Sequence, residues 1–303
     1  MQKSNRGGNC VPVISLRKSP PVTKMGGGFI MRESLTYKIL AAVMAASTVN
    51  WALPANVLAG CEHNGNYYVE SNGEIISSGT YTFIYGNGHS FTINGGNVTK
   101  SVYGIGNDAY AYTGDANGVN VTISDSEVMS TVYGGYSSGS ANDNIVTISG
   151  GTLGSSDKTV NVYGGYLFRG DAANDTAANN NSVNISGNAD ITNASLYGSN
   201  KTGATGNTLT IDGWSGSTQS VQNFNTINFS NINWVNGGTV LNITNNGEDG
   251  ALANTNINLN SLNFAGGTQL NTGDSMTFIQ KGTNGENLGI DATKVTVAPK
   301  FTA

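Results

Sequence analysis

Cysteine, proline, arginine and charge of either sign are all scarce in this chain. The two cysteines, Cys10 and Cys61, lie at or before the expected processing point, so neither a disulfide framework nor a Cys/His metal set is expected. Beyond residue 60 the only arginine is Arg169, and seven basic residues stand against eighteen acidic ones, a net charge of −11. An acidic body with scattered cations lacks the electrostatic footprint of a nucleic-acid binder. The acids fall singly (Asp108, Asp115, Asp125, Asp143, Asp157, Asp171, Asp175, Asp190, Asp212), mostly beside Asn or Gly. That is turn-forming aspartate rather than the paired carboxylates of a hydrolase or lyase. No GGxGxD calcium repeat occurs, which leaves Asn142-Asp143-Asn144 and Asn174-Asp175 as weak surface cation candidates at most. His63 and His89 stand alone and read as ordinary surface histidines. No cofactor is implied.

What the chain has instead is glycine, asparagine, serine and threonine set in alternation with Val, Ile, Leu and Phe. With 42 glycines and only 11% charged residues among 303, it is poor in helix formers and rich in turn formers and β-branched residues. Alternation at low net charge is not the signature of disorder. One phrase sets the period. VYGGY at Val132–Tyr136 returns at Val162–Tyr166, and more loosely as VYGIG at Val102 and LYGSN at Leu196. Its anchors Tyr103, Tyr133 and Tyr163 are 30 residues apart, and Tyr197 follows 34 later, a repeat too short to bury its own apolar face without stacking on its neighbours.

Each unit opens with a short strand in which an apolar residue sits two before an isoleucine: Phe91/Ile93, Val121/Ile123, Val146/Ile148, Val183/Ile185 and Leu209/Ile211. Period-two spacing puts both on one face, and five pairs at one phase predict parallel stacking into continuous apolar columns. The expected fold is therefore all-β, a β-solenoid, in preference to an antiparallel sandwich, which would not repeat identical phrases at one phase. Stacked tyrosines would form an aromatic ladder, and the Gly-Gly after them a corner with positive φ. A functional alternative makes Tyr136, Tyr166, Tyr110 and Tyr112 an exposed platform for sugar or protein. Past Trp214 the tyrosine phrase disappears, while alternating asparagines in NFNTINFSNINW and NINLNSLNF predict amide ladders.

The N-terminus reads as an address. Residues 31–60 hold a charged start, the apolar run ILAAVMAAS and a small-residue site, the plan of a helical secretory signal peptide, with cleavage between Ala59 and Gly60. Leu58-Ala59-Gly60-Cys61 also fits a lipobox, which would lipidate Cys61. Residues 1–30 are expected to be an unstructured, disordered extension. Consecutive glycine codons at Met25–Gly28 would suit a ribosome-binding sequence ahead of a start at Met31, and an extended signal region is the alternative. Residues 61–79 form a lead-in or cap, 80–280 the repeat body, roughly eight coils at about 25 residues each, and 281–303 an incomplete C-terminal end.

NVTISDSEVMSTVYGGY (Asn120–Tyr136), NIVTISGGTLGSSDKTVNVYGGY (Asn144–Tyr166) and QLNTGDSMTFIQ (Gln269–Gln280) resemble the passenger region of bacterial autotransporters. That resemblance implies a right-handed parallel β-helix exported to the cell surface or beyond through an outer-membrane translocator barrel. It further implies a non-enzymatic, adhesin-like role against host or bacterial glycans or proteins, with the variable loops Ser137–Asn144 and Leu167–Asn181 as contact points. A secreted polysaccharide lyase-like β-helix enzyme is the alternative. No barrel-like run of strands follows, so the sequence is expected to be a fragment, or else a protein that is released or held by another partner.

Overall fold

The computed structural model describes residues 11–14, 59–107, 114–168, 177–245, 250–266, 268–282 and 287–302. The chain divides into two compact units. All strands from Ala59 onward belong to one; the other, Ile14–Leu58, lies outside the described residues apart from Ile14. The expected signal peptide therefore falls almost wholly outside them. The fold is all-β: among the described residues there is no α-helix, only a single short turn of 3₁₀-helix at Ala292–Lys294.

Most strands belong to two large sheets. In the first, the isoleucine sheet, Glu74–Ile76, Phe91–Asn94, Asn120–Ser124, Ile145–Ile148, Ser182–Ser186, Thr208–Asp212, Thr226–Ser230 and Asn256–Asn263 follow one another in sequence order. In the second, the tyrosine sheet, the order is Asn66–Tyr68, Ile84–Tyr85, Val102–Ile105, Val132–Ser137, Val160–Leu167, Ala194–Ser199 and Ser220–Gln222. A short third sheet lies between them in sequence: Thr80–Tyr81, Asn97–Val98, Glu127–Val128 and Thr152–Leu153. From Glu74 to Leu167 each repeat thus supplies one strand to each of the three sheets, the two repeats from Ser182 to Gln222 supply the two large sheets but not the short one, and pairings among the strands from Asn66 onward are parallel.

Register follows the sequence phrases. Phe91, Val121, Val146, Val183, Leu209 and Ile227 are partners in turn, as are Ile93, Ile123, Ile148, Ile185, Ile211 and Phe229. All are buried and meet the valines of the tyrosine and short sheets in one core cluster. Each such side chain contributes about 1.5–3 kcal/mol. A one-residue slip would turn every one of them to solvent, so the alternation itself fixes register.

Strands continue to both ends of the described chain. Within the expected lead-in, Asn66–Tyr68 and Glu74–Ile76 already belong to the two large sheets. Ala59–His63 pairs with Asn66–Tyr68 in antiparallel fashion, closed by Asn64-Gly65 at φ of 50° and 74°, the left-handed pair that a two-residue hairpin demands. Val11–Ile14 is a strand beside Ala59–His63, so these four residues of the expected unstructured extension have structure. At the other end Val295–Thr302 pairs in parallel with Asn256–Asn263, and Thr277–Lys281 with Thr239–Ile243.

Candidate functional site

The anchors Tyr103, Tyr133, Tyr163 and Tyr197 come together as the sequence predicts, and Tyr68 and Tyr85 extend their column. Ring centroids stand 5.2, 5.6, 5.0, 5.7 and 4.6 Å apart from Tyr68 to Tyr197, all stacked. A second column of Tyr136, Tyr166 and Phe168 stacks beside it. Edge-to-face contacts join the two, Tyr133 to Tyr136 at 4.9 Å and Tyr163 to Tyr166 at 4.9 Å. The cluster is separate from the main core.

Two columns share one side because of the glycines between them. A Cβ on Gly134 would lie 2.4 Å from the Gly164 carbonyl, and one on Gly135 would lie 2.3 Å from the Ala116 carbonyl and 2.5 Å from Asn144 Nδ2. Both positions face inward against backbone, and the same clash repeats at Gly104, Gly164, Gly165 and Gly198. None of these glycines has positive φ. The expected left-handed corner is therefore corrected: glycine is required here for close approach between repeats, not for an unusual dihedral.

The corner lies elsewhere. Gly118, Asp143, Asn180 and Gly206 occupy the left-handed region at φ of 75°, 58°, 55° and 73°, each just before the residue that enters the isoleucine sheet. The residues after Asp143, Asn180 and Gly206 form a ladder the sequence reading missed, Asn144, Asn181 and Asn207, each fully buried. The Asn144 backbone N–H donates to Asn181 Oδ1 at 3.0 Å, Asn181 N–H to Asn207 Oδ1 at 2.8 Å, and Asn207 N–H to Asn225 Oδ1 at 2.9 Å. An outer ladder runs beside it, with Asn179 N–H on Asn142 Oδ1 at 2.7 Å and Asn142 N–H on Asn117 Oδ1 at 2.7 Å. The amides of Asn142 and Asn144 thus join repeats, and Asn174-Asp175 lies outside the described residues. The signal was legible: asparagine opens the strand phrases NIVTI, NSVNI and NTLTI. The ladders predicted further on are present in part, with Asn258 Nδ2 donating to Asn228 Oδ1 at 2.9 Å and Asn263 Nδ2 to Asn233 Oδ1 at 3.4 Å.

The exposed aromatic platform is also corrected. Tyr136 is 3% exposed and Tyr166 half-buried, while Tyr110 and Tyr112 lie outside the described residues. Stacking leaves ring faces covered by neighbouring rings, so a sugar would meet edges and hydroxyls. Burial, then the neighbouring tyrosines, pushes the Tyr163 phenol well above its ordinary value. Residues 169–176 of the second variable loop are outside the described set; in the first, Ser137 is buried and its hydroxyl donates to the Gly114 carbonyl.

One buried acid was not foreseen. Glu74 takes the position of Phe91 in the apolar column, with no exposure; it accepts from the Tyr67 hydroxyl and, at 3.1 Å, from the Glu70 N–H. Burial and that carboxylate raise the Tyr67 phenol. Gly60 packs directly against both side chains, and neighbouring Cys61 is 2% exposed and disulfide-bonded. A cleft of about 200 Å³ is lined by Thr202, Gln222, Asn223, Asn225, Asn254 and Thr255, among others. Its described lining offers amide and hydroxyl hydrogen-bond donors and acceptors. Among the described residues no three His, Cys, Asp or Glu side chains gather as a metal group would require. No protein-family model matches the chain, and no curated protein or solved structure matches it.

Proposed function

We propose that the chain is an exported, non-enzymatic surface protein: a right-handed parallel β-helix of the autotransporter passenger kind, attaching to host or bacterial surfaces and delivered by an outer-membrane barrel partner. The observation that carries this reading is the recurrence of the VYGGY and NxVxI phrases, each contributing in register to one of the two large parallel sheets, repeat after repeat. Such an architecture needs no cofactor to be stable, because each repeat is completed by the one before it. It also suits passage through a pore, since folding can propagate repeat by repeat once the chain emerges. The amide ladders and tyrosine columns are structural in this reading, and the surfaces left over are polar faces and loops, which bind rather than catalyse.

The test is expression of the full chain in a Gram-negative cell. The expected result is recovery outside the inner membrane with a new N-terminus at Gly60, or a diacylglyceryl group on Cys61, and attachment of beads coated with the mature protein to bacterial or epithelial cells. Uncut protein retained in the cytoplasm overturns the export reading, and new reducing ends or unsaturated products released from polysaccharide overturn the non-enzymatic one.

A further inference from the structure

We propose that the outward face of the isoleucine sheet binds an extended, uncharged polysaccharide. The proposal rests on the adhesive reading above and assigns it a surface. Where Val121 and Ile123 point inward, Asn120, Thr122 and Ser124 point outward, and the same alternation holds on the neighbouring strands. The central outward column runs Thr92, Thr122, Thr147, Asn184, Thr210 and Asn228, partner to partner without a register shift. Every one of these is half-exposed. Rungs are therefore spaced by the strand separation, about 4.8 Å, and outward residues within a strand by about 6.7 Å.

Chemistry selects the ligand class. Serine, threonine and asparagine both donate and accept hydrogen bonds, as sugar hydroxyls do. Among the outward positions of the five strands from Asn120–Ser124 to Thr226–Ser230, Asp212 alone is charged. With no cation on the face, a phosphate or sulfate polymer finds no partner. The side chains are short, and several are already oriented: Asn184 Nδ2 donates to Thr147 Oγ1 at 3.4 Å and Asn258 Nδ2 to Asn228 Oδ1 at 2.9 Å. Little rotamer freedom is lost when they engage a ligand. On a face of parallel strands affinity comes from many weak contacts along the columns, which requires a long chain.

The experiment is retention of the full chain on insoluble cellulose and chitin, with anionic alginate beads as comparison. Two double variants accompany it: Thr122→Val with Thr147→Val, which removes hydroxyls at constant shape, and Thr122→Lys with Thr147→Lys, which adds bulk and charge; circular dichroism and melting confirm folding. The expected result is retention on a neutral polysaccharide, weakened about tenfold by the valine pair and abolished by the lysine pair, with none on alginate. Absence of retention on either neutral polymer, preference for the anionic one, or retention unchanged in a folded variant overturns the proposal. A dimer that the lysine pair dissociates, without polysaccharide binding, reassigns the face to a second copy of the chain and equally overturns it. If beads still attach to cells through the lysine variant, the adhesive reading stands and only this face is wrong.

Discussion

Replacing Asn181 by alanine tests whether the buried amide ladder holds the repeats together. Asn181 Oδ1 accepts from the Asn144 backbone N–H at 3.0 Å and from Asn144 Nδ2 at 3.2 Å, and its own Nδ2 donates to Asn207 Oδ1 at 3.3 Å. Asn144 Nδ2 keeps a second acceptor, the Ala116 carbonyl at 2.8 Å. The Asn144 backbone N–H has no such substitute, and both residues are fully buried. An orphaned buried donor costs about 1–3 kcal/mol and the lost amide bond about 1 kcal/mol more, giving a loss of about 3 kcal/mol. For a unit of this size that lowers Tm by about 6–12 °C. Asn142→Ala is the control. It removes the same kind of bond, Asn179 N–H to Asn142 Oδ1 at 2.7 Å, at a half-exposed rung where water can replace the amide, so less than about 1 kcal/mol is expected. Urea unfolding followed by circular dichroism measures both, and amide exchange at Asn144 should accelerate in the first variant alone. Equal losses in the two variants, or an Asn181→Ala loss below about 0.5 kcal/mol, would refute the reasoning.

Gly135→Ala places a Cβ 2.3 Å from the Ala116 carbonyl and should destabilise by about 1–3 kcal/mol or more, whereas Gly118→Ala, in open space at φ 75°, should lose only about 1 kcal/mol; equal thermal shifts would contradict the close-approach account. Tyr133→Ala removes stacking on Tyr103 and Tyr163 and edge contacts to Tyr136 and Tyr166, so a loss of about 3 kcal/mol is expected, while Tyr133→Phe should melt within about 1 kcal/mol of the parent; a large loss in the phenylalanine variant would shift the role from ring to hydroxyl. Tyr163 and Tyr67 have folded pKa values raised above the ordinary phenol value near 10. The unfolded chain therefore loses these protons first: their contribution is fully present below about pH 10 and declines as pH rises toward the folded values. Alkaline titration by phenolate absorbance and circular dichroism should show these two phenols ionising with unfolding, and Tyr163→Phe should shallow the decline.

The columns were legible in the sequence because both depend on local spacing at a fixed phase. Val121/Ile123 and Val146/Ile148 declare an inward face by period two alone, and Tyr133 and Tyr163 declare a shared level by recurrence. The glycines between the tyrosines were misread for a physical reason. Sequence shows that a side chain is forbidden, but left-handed φ and a missing Cβ volume leave the same mark. Only the Gly164 carbonyl, 30 residues away in sequence and 2.4 Å from where a Gly134 Cβ would stand, decides between them. Simple alternation would turn Tyr136, three residues after Tyr133, to the opposite face. Two consecutive inward glycines cancel that alternation and bring both rings to one side. Glu74 was invisible because nothing local distinguishes a carboxylate beneath an apolar column from one in a turn; its burial depends on Tyr67 and Gly60 across the antiparallel hairpin.

Repetition also changes where function can reside and how it should fail. A site built from one loop is lost when that loop is exchanged, so if Ser137–Asn144 holds the contact, replacing it with a Gly-Ser loop of equal length should abolish attachment in one step. A site distributed over rungs behaves differently. Each rung contributes little, and a long ligand shifts its weight to the rungs that remain, so affinity should fall by a similar factor with every substitution. Changing Thr122, then Thr147, then Thr210 to valine, singly and cumulatively, should therefore lower polysaccharide retention by about threefold per rung. The measured affinities should fall on a straight line of log Kd against the number of substituted rungs. A single threonine that removes all binding, or three that remove none, would place recognition off this face and return it to the loops.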